Sequence, residues 1–455
     1  MKIIIVGCGK VGSTLAEELN KEDNEVTVID RRYAAVEEMS NKFDVMGVAG
    51  NGASYKTQME AGIEKADILI AVTGSDELNL LCCLIAKRAG NCQTIARVRN
   101  PEYSDEINFV KGALGLAMTI NPEFAAAQEI ARVLRFPSAI RIDTFAKGRV
   151  EMLKFRVPAD SSLDGMLVMS IAPKLGADIL VCAVEREGEI FIPKGDFRLQ
   201  GKDVVSIIAR PKKASDFFKK IGIETHQVKD TMIVGGGDTA YYLARLLLPM
   251  GINVKLIERD PDMCDKLSEL LPKAQIICGD GSKQNVLIEE GVGQAEAFVA
   301  LTNIDEENVI LSLFARSQSE GKIATKVNRM DFDQVIRELD LDTTVYPKRI
   351  TAQYILQFVR AMKNSIGCNV ETMYRILDDK AEALEFVVKE NSELPGVPLE
   401  ELQIKENTLV ACIIRGRDII IPRGKDEMQV GDSVVIVTTT LGLKDIRDVI
   451  RVGKQ

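Results

Sequence analysis

The sequence predicts an α/β protein: two Rossmann-like, doubly wound parallel-sheet domains, each followed by a small α+β lobe. Three observations predict it. Short, continuously apolar runs alternate with helical stretches, the pattern of parallel strands covered on both faces. A glycine-rich turn joins the first run to a helix. The whole arrangement occurs twice in 455 residues.

The repeat sets the domain organisation. Residues 3–12 read IIIVGCGKVG and residues 231–240 read TMIVGGGDTA. Asp30, closing EVTVID, returns 228 positions on as Glu258, closing NVKLIE. The stretch Thr73 to Asn79 returns as Thr302 to Asn308, Pro122 to Arg135 as Pro347 to Arg360, and IPKG at 192–195 as IPRG at 421–424. Length alone suggests about three domains. The duplication replaces that with four lobes: 1–136 and 229–366 as the sheet domains, 137–222 and 367–455 as the small lobes.

Taken in order, KIIIVG is a short strand and Ser13–Asn20 a helix. EVTVID and DVMGVAG are the next two strands, and a short helix covers 54–61. ADILIAVTG is the fourth strand, 76–89 a helix, QTIARV the fifth strand and LAMTI the sixth. An Ala-rich helix follows at 123–135, with a counterpart at 350–362. These two are candidates to cross between lobes or dock a partner, with ordinary core helices as the alternative. Right-handed crossovers make such a sheet doubly wound. In the small lobes, 149–157 and 384–389 are strand-like. ILVCAVERE and TLVACIIRG begin hairpins, and Gly-Asp-type turns lead into DVVSIIA and DSVVIVT.

Composition excludes several functions. A net charge of −9 argues against a nucleic-acid partner. The single histidine, His226, lies in the polar linker IETHQVKD at 223–230, where a solvated role is expected. One histidine leaves no His-rich metal site. Nine cysteines without a CxxC pair read as reduced thiols packed as small apolar residues. The N-terminal MKIIIVG lacks a signal-peptide apolar region, and no run of about 18 apolar residues occurs. A membrane role is therefore expected only through a partner.

The chemistry sits in the turn Gly7-Cys8-Gly9-Lys10-Val11-Gly12. The first glycine permits the tight bend, the second the approach of a pyrophosphate, and the third close helix packing. The helix N-terminus supplies N–H groups and a favourable dipole. Asp30 ends the second strand, where an acid bonds ribose hydroxyls and favours NAD or ATP over NADP. Arg31 and Arg32 weaken that exclusion. Thr73, Gly74 and Arg97 end the fourth and fifth strands at the ligand edge of the sheet. Asp76 is placed to cap the helix that follows. Gly50, Asn51, Gly52 and Ser54 are accounted for by a turn and a helix cap.

The second copy reads Gly235-Gly236-Gly237-Asp238-Thr239-Ala240. Asp238 brings negative charge beside the expected phosphate, and Tyr241 and Tyr242 add bulk. Glu258 keeps the acid, and Lys326 replaces Arg97. No acid–base group for hydride chemistry is evident, so a regulatory reading leads. An NAD-dependent oxidoreductase and a nucleotide-free scaffold are the alternatives.

In order and in duplicate, GCGKVG, VTVID, GNGAS, AVTGSDELN, IARVRNPEY and the IPKG…GKD lobe resemble the TrkA family. These are cytosolic tandem-RCK subunits of Trk potassium uptake systems. The resemblance covers essentially the whole chain. It implies NAD as ligand, with NADH, ATP or ADP at comparable sites. The binding positions would be Gly7 to Gly12, Asp30, Thr73, Gly74 and Arg97. In the second copy they would be Gly235 to Thr239, Glu258, Thr302, Asn303 and Lys326. It also implies a membrane potassium-translocating partner, a homo-tetramer forming an eight-lobed ring, no catalysis, and a place on the cytosolic face of the cell membrane.

Overall fold

The computed structural model describes every residue except 23, 137–138, 146–148, 224–226, 329–332, 340, 365–369, 377–379, 390–393, 441, 444 and 451–455. His226 and Cys368 therefore lie outside the described residues. The first sheet lobe runs β1 (Lys2–Val6), α1 (Lys10–Lys21), β2 (Glu25–Asp30), α2 (Tyr33–Phe43), β3 (Met46–Ala49) and α3 (Tyr55–Glu60). It continues through β4 (Ile68–Ala71), α4 (Asp76–Ala89), β5 (Gln93–Arg97), α5 (Pro101–Leu114), β6 (Met118–Ile120) and α6 (Pro122–Arg135). All strand pairs are parallel, in the order β3-β2-β1-β4-β5-β6. The order reverses between β1 and β4, and ligands of doubly wound sheets sit at such a reversal.

The first small lobe comprises β7 (Arg141–Phe145), β8 (Val150–Arg156), α7 (Val168–Leu175), β9 (Ile179–Arg186), β10 (Glu189–Phe191), β11 (Val204–Ala209) and α8 (Pro211–Lys220). Its sheet is antiparallel, ordered β10-β9-β11-β8-β7. A two-residue turn joins β9 to β10, with Glu187 at φ 51° and Gly188 at φ 81°. Two positive φ values match the twist of a hairpin.

The second sheet lobe repeats the plan. It holds β12 (Asp230–Val234), α9 (Asp238–Leu247), β13 (Asn253–Glu258), α10 (Pro261–Leu270), β14 (Gln275–Cys278) and α11 (Gln284–Glu289). Then come β15 (Ala297–Ala300), α12 (Asp305–Gln318), β16 (Lys322–Lys326), α13 (Asp333–Glu338), β17 (Thr343–Val345) and α14 (Pro347–Asn364). The order is again that of the first lobe, β14-β13-β12-β15-β16-β17. The second small lobe is β18 (Val370–Ile376), β19 (Ala381–Val387), β20 (Thr408–Arg415), β21 (Asp418–Ile420) and β22 (Ser433–Thr438).

The lobes group by kind. One compact unit holds Met1–Ala131 and Lys229–Leu356, the other Arg132–Val228 and Gln357–Gln455. Two of the three passages between units fall within α6 and α14, the helices singled out from the sequence, and the third falls between Val228 and Lys229. Within the second unit, Cys182, Ala183 and Ile208 share one buried cluster with Ala411, Cys412 and Val435, so the two small lobes have a common core. Each also keeps its own core.

Several elements differ from the sequence expectation. The edge strands β7 and β18 and helices α2, α5, α7 and α8 were not among the elements expected from the sequence. The strand expected at 384–389 begins earlier, at Ala381. Of the eight described cysteines, all unpaired, six are buried; Cys278 is exposed and Cys8 half-buried. The expectation of packed thiols fails at those two.

Phe155 is fully buried, with ring centroids 5.0 Å from Phe218 and 6.0 Å from Phe217. Phe155→Ala is expected to cost about 3–5 kcal/mol, because the cavity left behind cannot collapse fully. Urea unfolding followed through a probe in the small lobes measures it.

Candidate functional site

The first glycine turn is built from steric exclusions. Gly7 sits at φ +112°, a conformation L side chains rarely adopt, and its N–H donates to Ile29 O at 2.8 Å. A Cβ on Gly12 would stand 1.8 Å from the Gly7 carbonyl oxygen, so α1 can close on β1 only with glycine there. Gly9 is different. Its backbone is extended (φ −76°) and a Cβ would meet nothing within 4 Å. Gly74 likewise has open space where a Cβ would stand. Neither is needed for packing, and both face a cavity of about 580 Å³.

That cavity lies at the reversal of strand order. Gly7, Gly9, Lys10, Val11, Asp30, Thr73, Gly74 and Arg97 all line it, so the sequence-derived positions of the first copy converge. Cys8 and Gly12 shape the turn without lining it. The volume is within the range of sites for bound cofactors. The cradle fits a dinucleotide or nucleotide, with space at Gly9 and Gly74, an acid at the β2 end and cations opposite.

Asp30 does more than was expected of it. Its Oδ2 accepts from Cys8 N at 2.8 Å, and its Oδ1 from Arg32 N at 2.9 Å. Burial pushes its pKa up, but these N–H donors, together with the Arg32 side chain, outweigh that and hold it below the ordinary value. The carboxylate thus braces the turn while facing the cavity. The Cys8 thiol is pushed up to about 12, first by burial and then by Asp30, so it is a protonated, unreactive group.

The sheet edge is held by a residue not assigned a role from sequence. Asn79 is fully buried, and its Oδ1 accepts from Thr73 N at 2.8 Å and Thr73 Oγ1 at 2.7 Å. Its Nδ2 donates to Arg97 O at 2.9 Å. Arg97 in turn donates to the Thr73 carbonyl. Its Nε is buried without a hydrogen-bond partner, and burial, then Arg99, lowers its pKa. Asp76 is not the helix cap. Ser75 fills that place, accepting from Leu78 N, while Asp76 accepts the N–H groups of Arg99 and Asn100, both at 2.8 Å. The paired Asn79 and Asn308 of the repeat were the available signal.

The second copy has the same frame with different chemistry. Gly235 sits at φ +99°, and Gly236 N donates to Glu258 Oε2 at 2.6 Å. Asn308 binds Thr302 and the Lys326 carbonyl, and Lys326 Nζ donates to Leu301 O at 3.0 Å. Burial lowers the Lys326 pKa. Asn303 is exposed, Thr239 is buried, and Gly237 has open space at its Cβ. Ala240 is fully buried where the first copy has Gly12.

Tyr242 does not crowd this turn as expected. It is buried against the first copy. Its hydroxyl donates to Arg99 O at 3.0 Å and accepts from Asn121 Nδ2 at 2.9 Å, and its ring meets Phe124 edge-on. The expected negative charge is present, and across this contact it meets the cation of Arg99 as well as the carboxyl of Glu123. Glu123, from α6, interacts electrostatically with Asp238 and Lys326. Burial raises the Glu123 pKa against the pull of Arg99 and Arg97, and its Oε2 has no hydrogen-bond partner. Desolvation also raises that of Asp238.

The structure resembles that of the GsuK RCK domain, with a TM-score of 0.63 at 16% identity, covering 96% of this chain and 92% of that one. It matches the GsuK channel bound to NAD with the same score and identity, covering 96% and 77%. The fold is therefore that of tandem RCK domains. TrkA-N domains match residues 3–122 and 231–347, and TrkA-C domains match 152–222 and 383–451. The Trk system potassium uptake protein TrkA homolog of Archaeoglobus fulgidus is 32% identical over 99% of this chain and 100% of that one. The Trk system potassium uptake protein TrkA of Haemophilus influenzae is 31% identical over 96% and 95%. The chain belongs to the TrkA family.

Carboxyls with raised pKa values are favoured by falling pH, because the folded state then binds protons the unfolded chain does not. Glu123→Gln is therefore expected to raise unfolding stability at pH 7 by about 1 kcal/mol. The gain should shrink at pH 5, where the wild-type group is more protonated. Thermal unfolding at the two pH values checks it.

Proposed function

We propose that this chain is the nucleotide-sensing regulatory subunit of a potassium uptake system, without catalytic activity of its own. The observation that carries the reading is the first cavity: two glycines that packing does not require, at the ligand edge of a doubly wound sheet, in a TrkA-family chain. Gly9 and the N-terminus of α1 would hold the phosphates, Asp30 the ribose, and Thr73, Gly74 and Arg97 the opposite rim. NAD or NADH is the proposed ligand, with ATP or ADP at the same place. The NAD-bound channel of similar fold and the potassium-uptake names of the relatives support this.

The lobes are proposed to divide near 136, 222 and 366. No helix among the described residues is long and apolar enough to cross a membrane. The proposed partner is accordingly a membrane potassium-translocating subunit, met on its cytosolic face. Four chains would form an eight-lobed ring. A ligand can move the partner's gate only through its differential affinity for two arrangements of the ring. The second glycine turn, with Asp238, Glu258 and Glu123 about it, is proposed to hold nucleotide more weakly than the first.

Two substitutions test the sites without disturbing the turns. Gly9→Val places bulk in the first cavity from a backbone position any residue can occupy. It should weaken nucleotide binding at least tenfold, by steric exclusion, while leaving the melting midpoint of the ligand-free protein unchanged. Gly237→Val does the same at the second turn and should have the smaller effect. Calorimetric titration of the full chain with NAD, NADH, ATP and ADP reads both. Absence of heat with all four on the wild type would leave a nucleotide-free scaffold.

A further inference from the structure

Two thiols meet in the second sheet lobe, beside the acid of its glycine turn. Cys278 is the last residue of β14, the edge strand of the sheet, and pairs in register with Glu258 at the end of β13. Cys264 lies in the first turn of α10. Its Sγ donates to the Glu258 carbonyl oxygen at 3.3 Å, the same oxygen that accepts from Gly279 N at 2.8 Å. The helix thiol is thereby held at the strand end that carries Cys278, and the two thiols are side-chain partners.

The two differ in access. Cys264 is buried, whereas Cys278 is the one exposed cysteine among the described residues. Burial, then the Cys278 thiol, pushes Cys264 up to about 12. The thiolate is the reacting form of a cysteine, so a thiol reagent meets Cys278 first. Capping Cys278 then removes one of the causes that keep Cys264 protonated.

The repeat shows that the fold requires neither sulfur. Asp30 pairs in register with Ala49 where Glu258 pairs with Cys278. Val36 donates its N–H to the carbonyl of the N-cap residue Arg32, as Cys264 does to that of Asp260. Valine and alanine thus fill the corresponding places in the first copy, and the strand order is the same. A small apolar residue suffices at each position, and the second copy has a pair of thiols instead.

We propose that Cys278 and Cys264 form a modification site, a dithiol that a low-molecular-weight disulfide closes into an intrachain bond. The Cys278 sulfur attacks one sulfur of the reagent and forms a mixed disulfide with it. The other half leaves as a thiol and takes up the Cys278 proton. The Cys264 sulfur then attacks Cys278 Sγ, and the second half leaves with the Cys264 proton. Two protein thiols are oxidised, and one small disulfide is reduced to two thiols. The bond removes the S–H donor to the Glu258 carbonyl and ties α10 to the end of β14. Glu258 is the acid that accepts from Gly236 N in the second glycine turn, so the modification acts at the wall of that turn.

The test is incubation of the full chain with oxidised glutathione. Remaining thiols are alkylated in denaturant, and the chain is digested with trypsin without reductant and analysed by mass spectrometry. Cleavage at Lys266 and Lys273 separates the two cysteines. The wild type should yield their two peptides joined, and a dithiol reductant should release both. Cys264→Val, the residue of the first copy, should instead retain glutathione on Cys278. Cys278→Ala, likewise the first copy's residue, should leave Cys264 free of glutathione. Cys264→Ala serves if the valine variant fails to fold. Glutathione retained on Cys278 of the wild type, a bond from Cys278 to any other cysteine, or no reaction at Cys278 overturns the proposal.

Discussion

In each sheet lobe a single buried asparagine ties the carboxyl ends of two neighbouring strands. Asn79 takes the N–H and hydroxyl of Thr73 and gives its amide to the Arg97 carbonyl; Asn308 does the same with Thr302 and Lys326. Buried amides of this kind stabilise only when every partner is present, because an unsatisfied one costs about 1–3 kcal/mol. The bond network therefore fixes where β4 and β5 end. The strand ends set the position of the cation that follows and the mouth of the cavity. The glycine turn completes the opposite wall, braced by the Asp30 carboxylate.

On this shared frame the copies have diverged by charge. The first turn carries Lys10, and Lys348 of α14 lines its cavity; the second carries Asp238, beside Arg99 and Glu123 of the first copy. The backbone does not distinguish them, since strand order and first-glycine conformation are the same. What differs is the side chain at the first helical position and the one brought across from the partner lobe. Charge separates the copies while the sheet plan stays constant, as expected where folds host sites that vary independently.

The sequence carried the sheet lobes almost whole, because their inner strands are buried on both faces and read as unbroken apolar runs. It carried the lining of the first cavity because the glycine turn, Asp30 and Thr73 each sit at a strand end. It did not carry β7, an edge strand reading RIDTF, or helices such as α7, whose pattern is short and interrupted by Pro173. Tyr242 and Lys348 were misread or missed for one reason. Their roles depend on which surface of one copy meets the other, and apolar period and motif spacing report only on neighbours within a copy. The exchange of Glu123 for Lys348 was visible in the repeat but had no meaning until the lobes were paired.

The hydrogen bonds of Tyr242 to Asn121 and Arg99 join two lobes of one polypeptide, so their encounter is intramolecular. Its effective concentration is set by the linking chain and is untouched by how much protein the cell holds. Dilution does not separate the pair, and an exchange of partners between chains gains nothing. A contact relieved of the need for intermolecular affinity can tolerate a desolvated carboxylate such as Glu123, whose Oε2 has no hydrogen-bond partner and which would be a liability in two separate subunits that had to find one another.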